Sequence, residues 1–186
     1  MSVIDAVGEK TIRLFQNRKF IVLLLLIAVV GGFVKFSDGL NLNPFQKDFE
    51  KMTYQEHLDA AADELGTTKK LNLWDKAVEA EEQGNYAVAE SYLVEFKKHL
   101  ENAKAHELAA ANATDDPGKK KFAEYNAEST RYMILKIEKN IEQIRYEAQG
   151  NHEAELKAKN EAHEYFLKAN EWAEKADEIK LGVDNV

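Results

Sequence analysis

The chain contains no cysteine, and only 2 prolines and 9 glycines among its 186 residues. Without cysteine it can form neither disulfides nor thiolate metal sites, and it has no cysteine nucleophile. The excess of 33 acidic over 25 basic residues argues against nucleic acid as a partner. The sequence also lacks a phosphate-binding glycine loop, GxSxG and HExxH. These absences predict a protein that is not an enzyme and carries no cofactor.

The charge that is present is unevenly distributed. Residues 1–36 hold five basic and two acidic residues, a net charge of +3, whereas the rest holds 20 basic and 31 acidic residues, a net charge of −11. Such asymmetry is typical of a chain that lies in two different environments.

The basic end contains an uncharged apolar run of fifteen residues, 20–34. A spanning helix needs roughly 17–25 apolar residues, but Lys19 and Lys35 can extend their charges to the headgroups. We therefore predict one uncleaved transmembrane helix over 20–36. The residues expected to contact the lipid bilayer are Phe20, Leu23, Leu24, Leu25, Leu26, Val30 and Phe33.

The alternative for this run is a cleaved signal peptide, whose apolar core has a similar length. Asp5 and Glu9 precede the run, and no small-x-small cleavage site follows it, so the anchor is favoured. Basic residues concentrate before the run, which places the N-terminus in the cytoplasm. The predicted organisation is a cytoplasmic segment 1–19, the span, a linker 37–43, and an exported acidic helical domain 44–186.

The sequence of the exported part, residues 44–186, predicts only helices. Helical spacing of apolar residues gives three long seams, and short turns between long helices favour antiparallel neighbours. We expect an all-α antiparallel bundle. The boundaries expected in chain order begin with Pro44 at a helix start, a capping box at Thr53 and Glu56, an end at Gly66, and a new start at Thr67 or Thr68. Turns follow at Gly84-Asn85, at 114–118, where Asp116 caps a helix that starts at Pro117, and at Gly150-Asn151.

Five aromatic residues widen these seams and are candidate contacts for a partner protein. We interpret such residues as core, or as a surface for a partner helix, rather than as a cofactor site. They are Tyr92, Phe96, Tyr132, Tyr165 and Trp172.

The segment 70–100 has a local motif of its own, GNYAVAESYL. Gly84, Asn85 and Tyr86 form a turn, with Ala89 and Leu93 following at helical positions, and a related QGN turn occurs 66 residues later at 149–151. This segment resembles a tetratricopeptide repeat, which implies a helix-turn-helix and a peptide-binding surface. The closing proline of that family is absent from the segment, and the second helix continues to about residue 113, twice the family length.

Two weaker signals concern histidine and asparagine. His99 and His106 lie seven residues apart and share a helix face with Glu95, so they are the starting point for a metal site. The alternative is that they are solvated or interface histidines. Asn112 begins an Asn-Ala-Thr glycosylation motif, which occurs readily by chance in a sequence with this many asparagines.

Two functions follow as expectations. The first is a single-pass accessory or scaffold subunit that binds other integral membrane protein subunits through its anchor and its exported domain. The second is a tetratricopeptide-like module that binds peptides or exported clients. The seams could also pair with a second copy of the chain, giving a homo-oligomer.

Overall fold

A computed structural model describes residues 49–183, with side chains to residue 179. A short 3₁₀ turn, Phe49–Lys51, is followed by helices only; no strand occurs within this part of the chain, as predicted. The five α-helices are α1 (Tyr54–Lys70), α2 (Leu73–Glu82), α3 (Tyr86–Asn112), α4 (Pro117–Ala148) and α5 (His152–Val183). Within these described residues, no helix is long and apolar enough to span a bilayer. The predicted span 20–36, with its seven lipid-contacting residues, lies outside them, as do the N-terminal segment, the linker and Pro44.

Local capping chemistry explains where two helices begin. Thr53 accepts a hydrogen bond from the Glu56 amide, and the Glu56 carboxylate accepts one from the Thr53 amide at 2.9 Å, which completes the predicted capping box. Asp116 Oδ1 accepts hydrogen bonds from the amides of Gly118 and Lys119 at 2.8 and 3.0 Å, ahead of α4. Both predicted starts are confirmed.

The expected boundary at Gly66 is wrong. The helix continues through Gly66 to Lys70, and the hydroxyls of Thr67 and Thr68 donate to carbonyls one turn earlier instead of capping a new helix. The chain breaks at Asn72, whose φ of 54° lies in the left-handed region that asparagine tolerates. A glycine inside a helix costs about 1 kcal/mol relative to alanine, which the packed surroundings of α1 offset here.

The two predicted QGN turns have the same geometry. The Asn85 amide donates to the Ala80 carbonyl at 2.8 Å, and the Asn151 amide donates to Tyr146 at 2.9 Å. Gly84 and Gly150 adopt φ values of 73° and 69°. This arrangement is the Schellman motif, which ends a helix and reverses the chain. It makes α2 antiparallel to α3, and α4 antiparallel to α5.

Replacing Gly150 by alanine is expected to destabilise the protein by about 1–2 kcal/mol, because the left-handed backbone strains any residue with a Cβ. An added Cβ meets no atom within 4 Å at Gly150 or Gly66, so crowding contributes at neither position. Gly66→Ala, inside α1, is therefore a matched control and should stabilise the protein by about 0.5–1 kcal/mol. Thermal unfolding of both variants measures the contrast, and equal effects of the same sign would contradict the argument.

The helices pack into a bundle with α3 and α4 at its centre. Helix α3 contacts α1 and α2 as well as α4, and α4 packs along α5. The predicted seams form the core: Phe96 and Ile137 are 1% and 0% exposed. On α5 the buried seam residues are mainly alanines, which allow α4 and α5 to approach closely. Tyr165 and Trp172, on the same seam, are only partly buried, so they border the surface.

Candidate interaction surface

Four aromatic rings line one edge of the α4–α5 pair. Tyr125 meets Trp172 edge to face, with ring centroids 5.2 Å apart. One heptad further along α4, Tyr132 lies 6.3 Å from Tyr165. All four residues are partly exposed. We call Tyr125, Tyr132, Tyr165 and Trp172 the aromatic ladder.

Basic side chains lie over the rings of the aromatic ladder. The Arg131 guanidinium is 4.2 Å from the Tyr132 centroid, and Lys175 Nζ is 4.2 Å from that of Trp172. Lys168 Nζ is 5.7 Å from both Tyr132 and Tyr165. Such contacts are worth about 0.5–1 kcal/mol at exposed sites. The surface therefore combines aromatic rings with cations, two of which are paired with carboxylates: Arg131 with Glu128 at 2.8 Å, and Lys175 with Glu171 at 2.7 Å.

Two polar contacts fix the register of the ladder. The Ser129 hydroxyl donates to the Ala169 carbonyl at 2.9 Å in the buried seam beneath the rings. Lys139 binds Glu142 at 2.8 Å and Glu161 at 2.9 Å, and these hydrogen bonds raise the pKa of Lys139. Along the helices, the first contact lies between the two ring pairs and the Lys139–Glu161 contact lies beyond the Tyr132–Tyr165 end.

The structure brings together three of the five aromatic residues proposed from the sequence. Tyr132, Tyr165 and Trp172 belong to the aromatic ladder. Tyr92 lies on α3, partly exposed, with Lys76 Nζ of α2 at 5.8 Å from its ring. Phe96 is 1% exposed in the core, so it offers no surface to a partner while the bundle is intact.

Sequence reasoning missed Tyr125 as a member of this surface. The signal was available, because Tyr125 and Tyr132 are seven residues apart, as are Tyr165 and Trp172. On antiparallel helices with this equal spacing, a contact between Tyr132 and Tyr165 also places Tyr125 beside Trp172. The cations Arg131 and Lys168 could not be assigned in this way, since long side chains reach the rings from several helix positions.

A second polar site lies buried between α1 and α3. His57 and His106 place their Nδ1 atoms 3.2 Å apart. One heptad away, the Glu64 carboxylate binds His99 Nδ1 at 2.6 Å and accepts a hydrogen bond from Asn102 at 3.2 Å. We call this set the histidine cluster. Burial lowers the pKa of both His57 and His106. The neighbouring His106 lowers the pKa of His57 further, whereas Glu56 raises it. Glu64 raises the pKa of His106.

In the histidine cluster, the two histidines proposed as the starting point for a metal site are interface residues between α1 and α3. His99 and His106 do share a face of α3, but each pairs with a different residue of α1, and Glu95 is exposed. Within residues 49–179, no group of three or more histidine and carboxylate side chains is arranged to hold a metal ion. Asn112 is exposed at the end of α3.

Two further titratable groups are shifted by burial. Glu107 of α3 is 3% exposed, and burial raises its pKa to about 8, although the Thr130 hydroxyl donates to its Oε1 at 3.1 Å. Lys136 of α4 has its Nζ 3.6 Å from the Trp74 ring of α2, and burial lowers its pKa to about 7. Neither group belongs to a set of three or more histidine and carboxylate side chains that could hold a metal ion within the part of the chain that the structure describes.

No protein-family model, no curated protein and no solved structure matches this chain.

Proposed function

We propose that the chain is a non-enzymatic, single-pass membrane-anchored accessory or scaffold subunit of a larger membrane protein complex. The observation that carries this proposal is the aromatic ladder with its cations. Tyrosine, tryptophan and arginine are the residues most enriched among the energetic centres of protein interfaces. Here they line one edge of the α4–α5 pair.

The apolar run 20–34 supports the membrane anchor in this proposal. Positive charge before the run favours a cytoplasmic N-terminus and an exported, extracytoplasmic position for the helical domain. In such an arrangement the partners are other integral membrane protein subunits, which contact both the anchor within the bilayer and the aromatic ladder outside it. A flat edge of two long helices suits a static docking role better than catalysis.

Purification of the native protein in mild detergent, followed by mass spectrometry of the intact complex, tests this proposal. We expect membrane subunits in fixed stoichiometry. The double variant Tyr132→Ala/Tyr165→Ala should lower their recovery at least tenfold, because residues at interface centres contribute about 2 kcal/mol or more each. Leu156→Ala/Leu167→Ala is the control: these leucines are 58% and 52% exposed on α5 but lie outside the aromatic ladder.

The control variant should retain its partners, and circular dichroism should show both double variants folded. Two results would contradict the proposal. One is a mature chain that fractionates as a protein needing no detergent. The other is undiminished recovery of partners with the tyrosine variant.

A second candidate is the tetratricopeptide-like client-binding module. The two equivalent QGN turns favour it, because they define two hairpins, α2–α3 and α4–α5. Side chains also link the first helices of these hairpins: Gln143 donates to Glu81 at 3.2 Å, and Lys136 lies over Trp74. These are side-chain contacts, and the helices that pack along α4 are α3 and α5. Recovery of a mixture of exported proteins, in place of fixed subunits, would favour this function.

A further inference from the structure

Two buried histidines connect α1 to α3 and hold an exposed ring. His57 and His106 are 3% and 9% exposed. The ring of Phe49, from the turn before α1, packs on both, with centroid distances of 4.9 and 4.8 Å. Phe49 itself is 44% exposed. The histidine pair is therefore one of the contacts that fix the beginning of the described chain to the bundle. Tyr54 and Leu58 of α1 also pack against Ala110, Ala111 and Ala123, and the Tyr54 hydroxyl donates to the Lys119 carbonyl at 3.3 Å.

The 3.2 Å contact between the two Nδ1 atoms depends on protonation. One nitrogen must donate a hydrogen and the other must accept it. Two neutral rings satisfy this condition, and so does one neutral ring beside one protonated ring. When both rings are protonated, both Nδ1 atoms carry hydrogens. The hydrogen bond is then lost, and two positive charges face each other in a poorly hydrated site.

The charged groups around the pair compensate only in part. Glu56 favours protonation of His57, and Glu64 favours protonation of His106. Both carboxylates are already engaged: Glu56 closes the capping box of α1, and Glu64 binds His99 and Asn102.

Two further titratable groups lie next along α3. These are Lys104, whose charge acts on Glu107, and Glu107 itself, which is bonded to Thr130 of α4. A second proton on the histidine pair thus finds no free carboxylate among these neighbours. Glu56 and Glu64 are hydrogen-bonded, and burial raises the pKa of Glu107 to about 8, so that its carboxyl keeps its own proton in mildly acidic medium.

We propose that the His57–His106 pair is a proton-operated latch. In neutral medium it holds the Phe49 turn and the start of α1 on α3, and in mildly acidic medium it releases them when both rings are protonated. The inference extends beyond the proposed function and does not depend on it, because all the atoms involved belong to the described bundle.

The direction of the pH effect follows from the pKa shifts. Burial lowers the pKa of both histidines in the folded state below the ordinary value of 6.5. The released state therefore binds protons first as the pH falls. The closed state loses stability from about pH 6.5 downward, until the folded-state pKa values are reached, and it keeps its full stability above that range.

Distance measurements between spin labels on the full chain in lipid nanodiscs test the latch. The protein has no cysteine, so two introduced cysteines are the only labelling sites. Gln55→Cys with Ala105→Cys reports α1 against α3, and both positions are exposed. Ala87→Cys with Ala148→Cys reports α3 against α4 as a reference. We expect one narrow α1–α3 distance at pH 7.5, and a longer, broader population of half or more at pH 5.0.

Substitutions separate the latch from general acid sensitivity. His57→Gln/His106→Gln retains an uncharged hydrogen bond, and it should reduce the acid-induced population at least fivefold. His152→Gln is the matched control, because that side chain is 85% exposed and pairs only with Glu155 on the surface. It should respond as the wild type does, and the α3–α4 reference distance should stay constant throughout.

Two results would overturn the proposal: an α1–α3 distance that is unchanged down to pH 5.0, or a double variant that responds like the wild type. If the double variant does not fold, nuclear magnetic resonance of labelled histidines in the wild type decides. His57 and His106 must titrate below 6.5, and the narrow distance must disappear over the same pH range. If the two histidines titrate and the narrow α1–α3 distance remains, the proposal is also overturned.

Discussion

Replacing Phe96 by alanine is expected to lower the free energy of unfolding by about 3–5 kcal/mol. Phe96 is 1% exposed and lies on α3 between Leu93 and Leu100, each 2% exposed. Removing its ring forfeits buried apolar area and leaves a cavity, because neighbouring helices relax only partly around it. Phe96 lies on the helix against which α1, α2 and α4 all pack.

Val94→Ala provides the control for this prediction on the same helix. Val94 is 48% exposed, so truncating it should change stability by less than about 0.5 kcal/mol. Thermal unfolding of the full chain in mild detergent measures both variants, and Phe96→Ala should lower the midpoint by roughly 10 °C. A shift as small as that of Val94→Ala would mean that Phe96 is not a core residue.

Periodicity predicted the helices of this bundle well, because it reports burial directly. The steps of three and four residues on α3 and α4 identified the buried seam, and α4 starts and α3 ends where their capping and turn residues indicate. It failed at Gly66, where packing outweighs the low helix propensity of one glycine. The left-handed Asn72 ends that region, and a single asparagine in a polar stretch gives too weak a signal to identify.

Which residues meet across two helices could not be predicted in the same way. His99 and His106 were placed on one face correctly, but their partners His57 and Glu64 depend on the register of α1 against α3. Seven-residue spacing on both helices is compatible with several registers, and sliding by one heptad exchanges every pair. The aromatic ladder has the same ambiguity. Spacing therefore predicts that pairs form, whereas packing of the whole interface decides which ones.

Glutamine in place of Glu107 is expected to stabilise the protein increasingly as the pH rises. Burial raises the pKa of this carboxyl from 4.5 to about 8 in the folded state, so between these values the unfolded chain is ionised while the folded chain keeps its proton. The contribution of Glu107 to stability is therefore present below about pH 4.5 and is lost as the pH rises to 8. Glutamine does not titrate, and its amide oxygen can still accept the hydrogen bond from Thr130.

The difference in stability between Glu107→Gln and the wild type should be small at pH 5.0 and should grow to the order of 3 kcal/mol at pH 8.0. Protonation of His57 and His106 lowers stability as the pH falls, which opposes the effect of Glu107. Because this change is the same in the variant and the wild type, comparing the two at the same pH cancels it. Glu95→Gln is the control, because Glu95 is exposed on the same helix, and its difference should stay below about 0.5 kcal/mol.

Chemical denaturation of the full chain in detergent at pH 5.0, 6.5 and 8.0 measures these differences. A constant destabilisation by Glu107→Gln at all three pH values would mean that the carboxylate is ionised in the bundle and bound by Lys104. The predicted pH dependence instead identifies Glu107 as a neutral acid at physiological pH. Its Oε2 is buried without a hydrogen-bond partner among the described residues, a position that a protonated oxygen occupies at lower cost than a charged one.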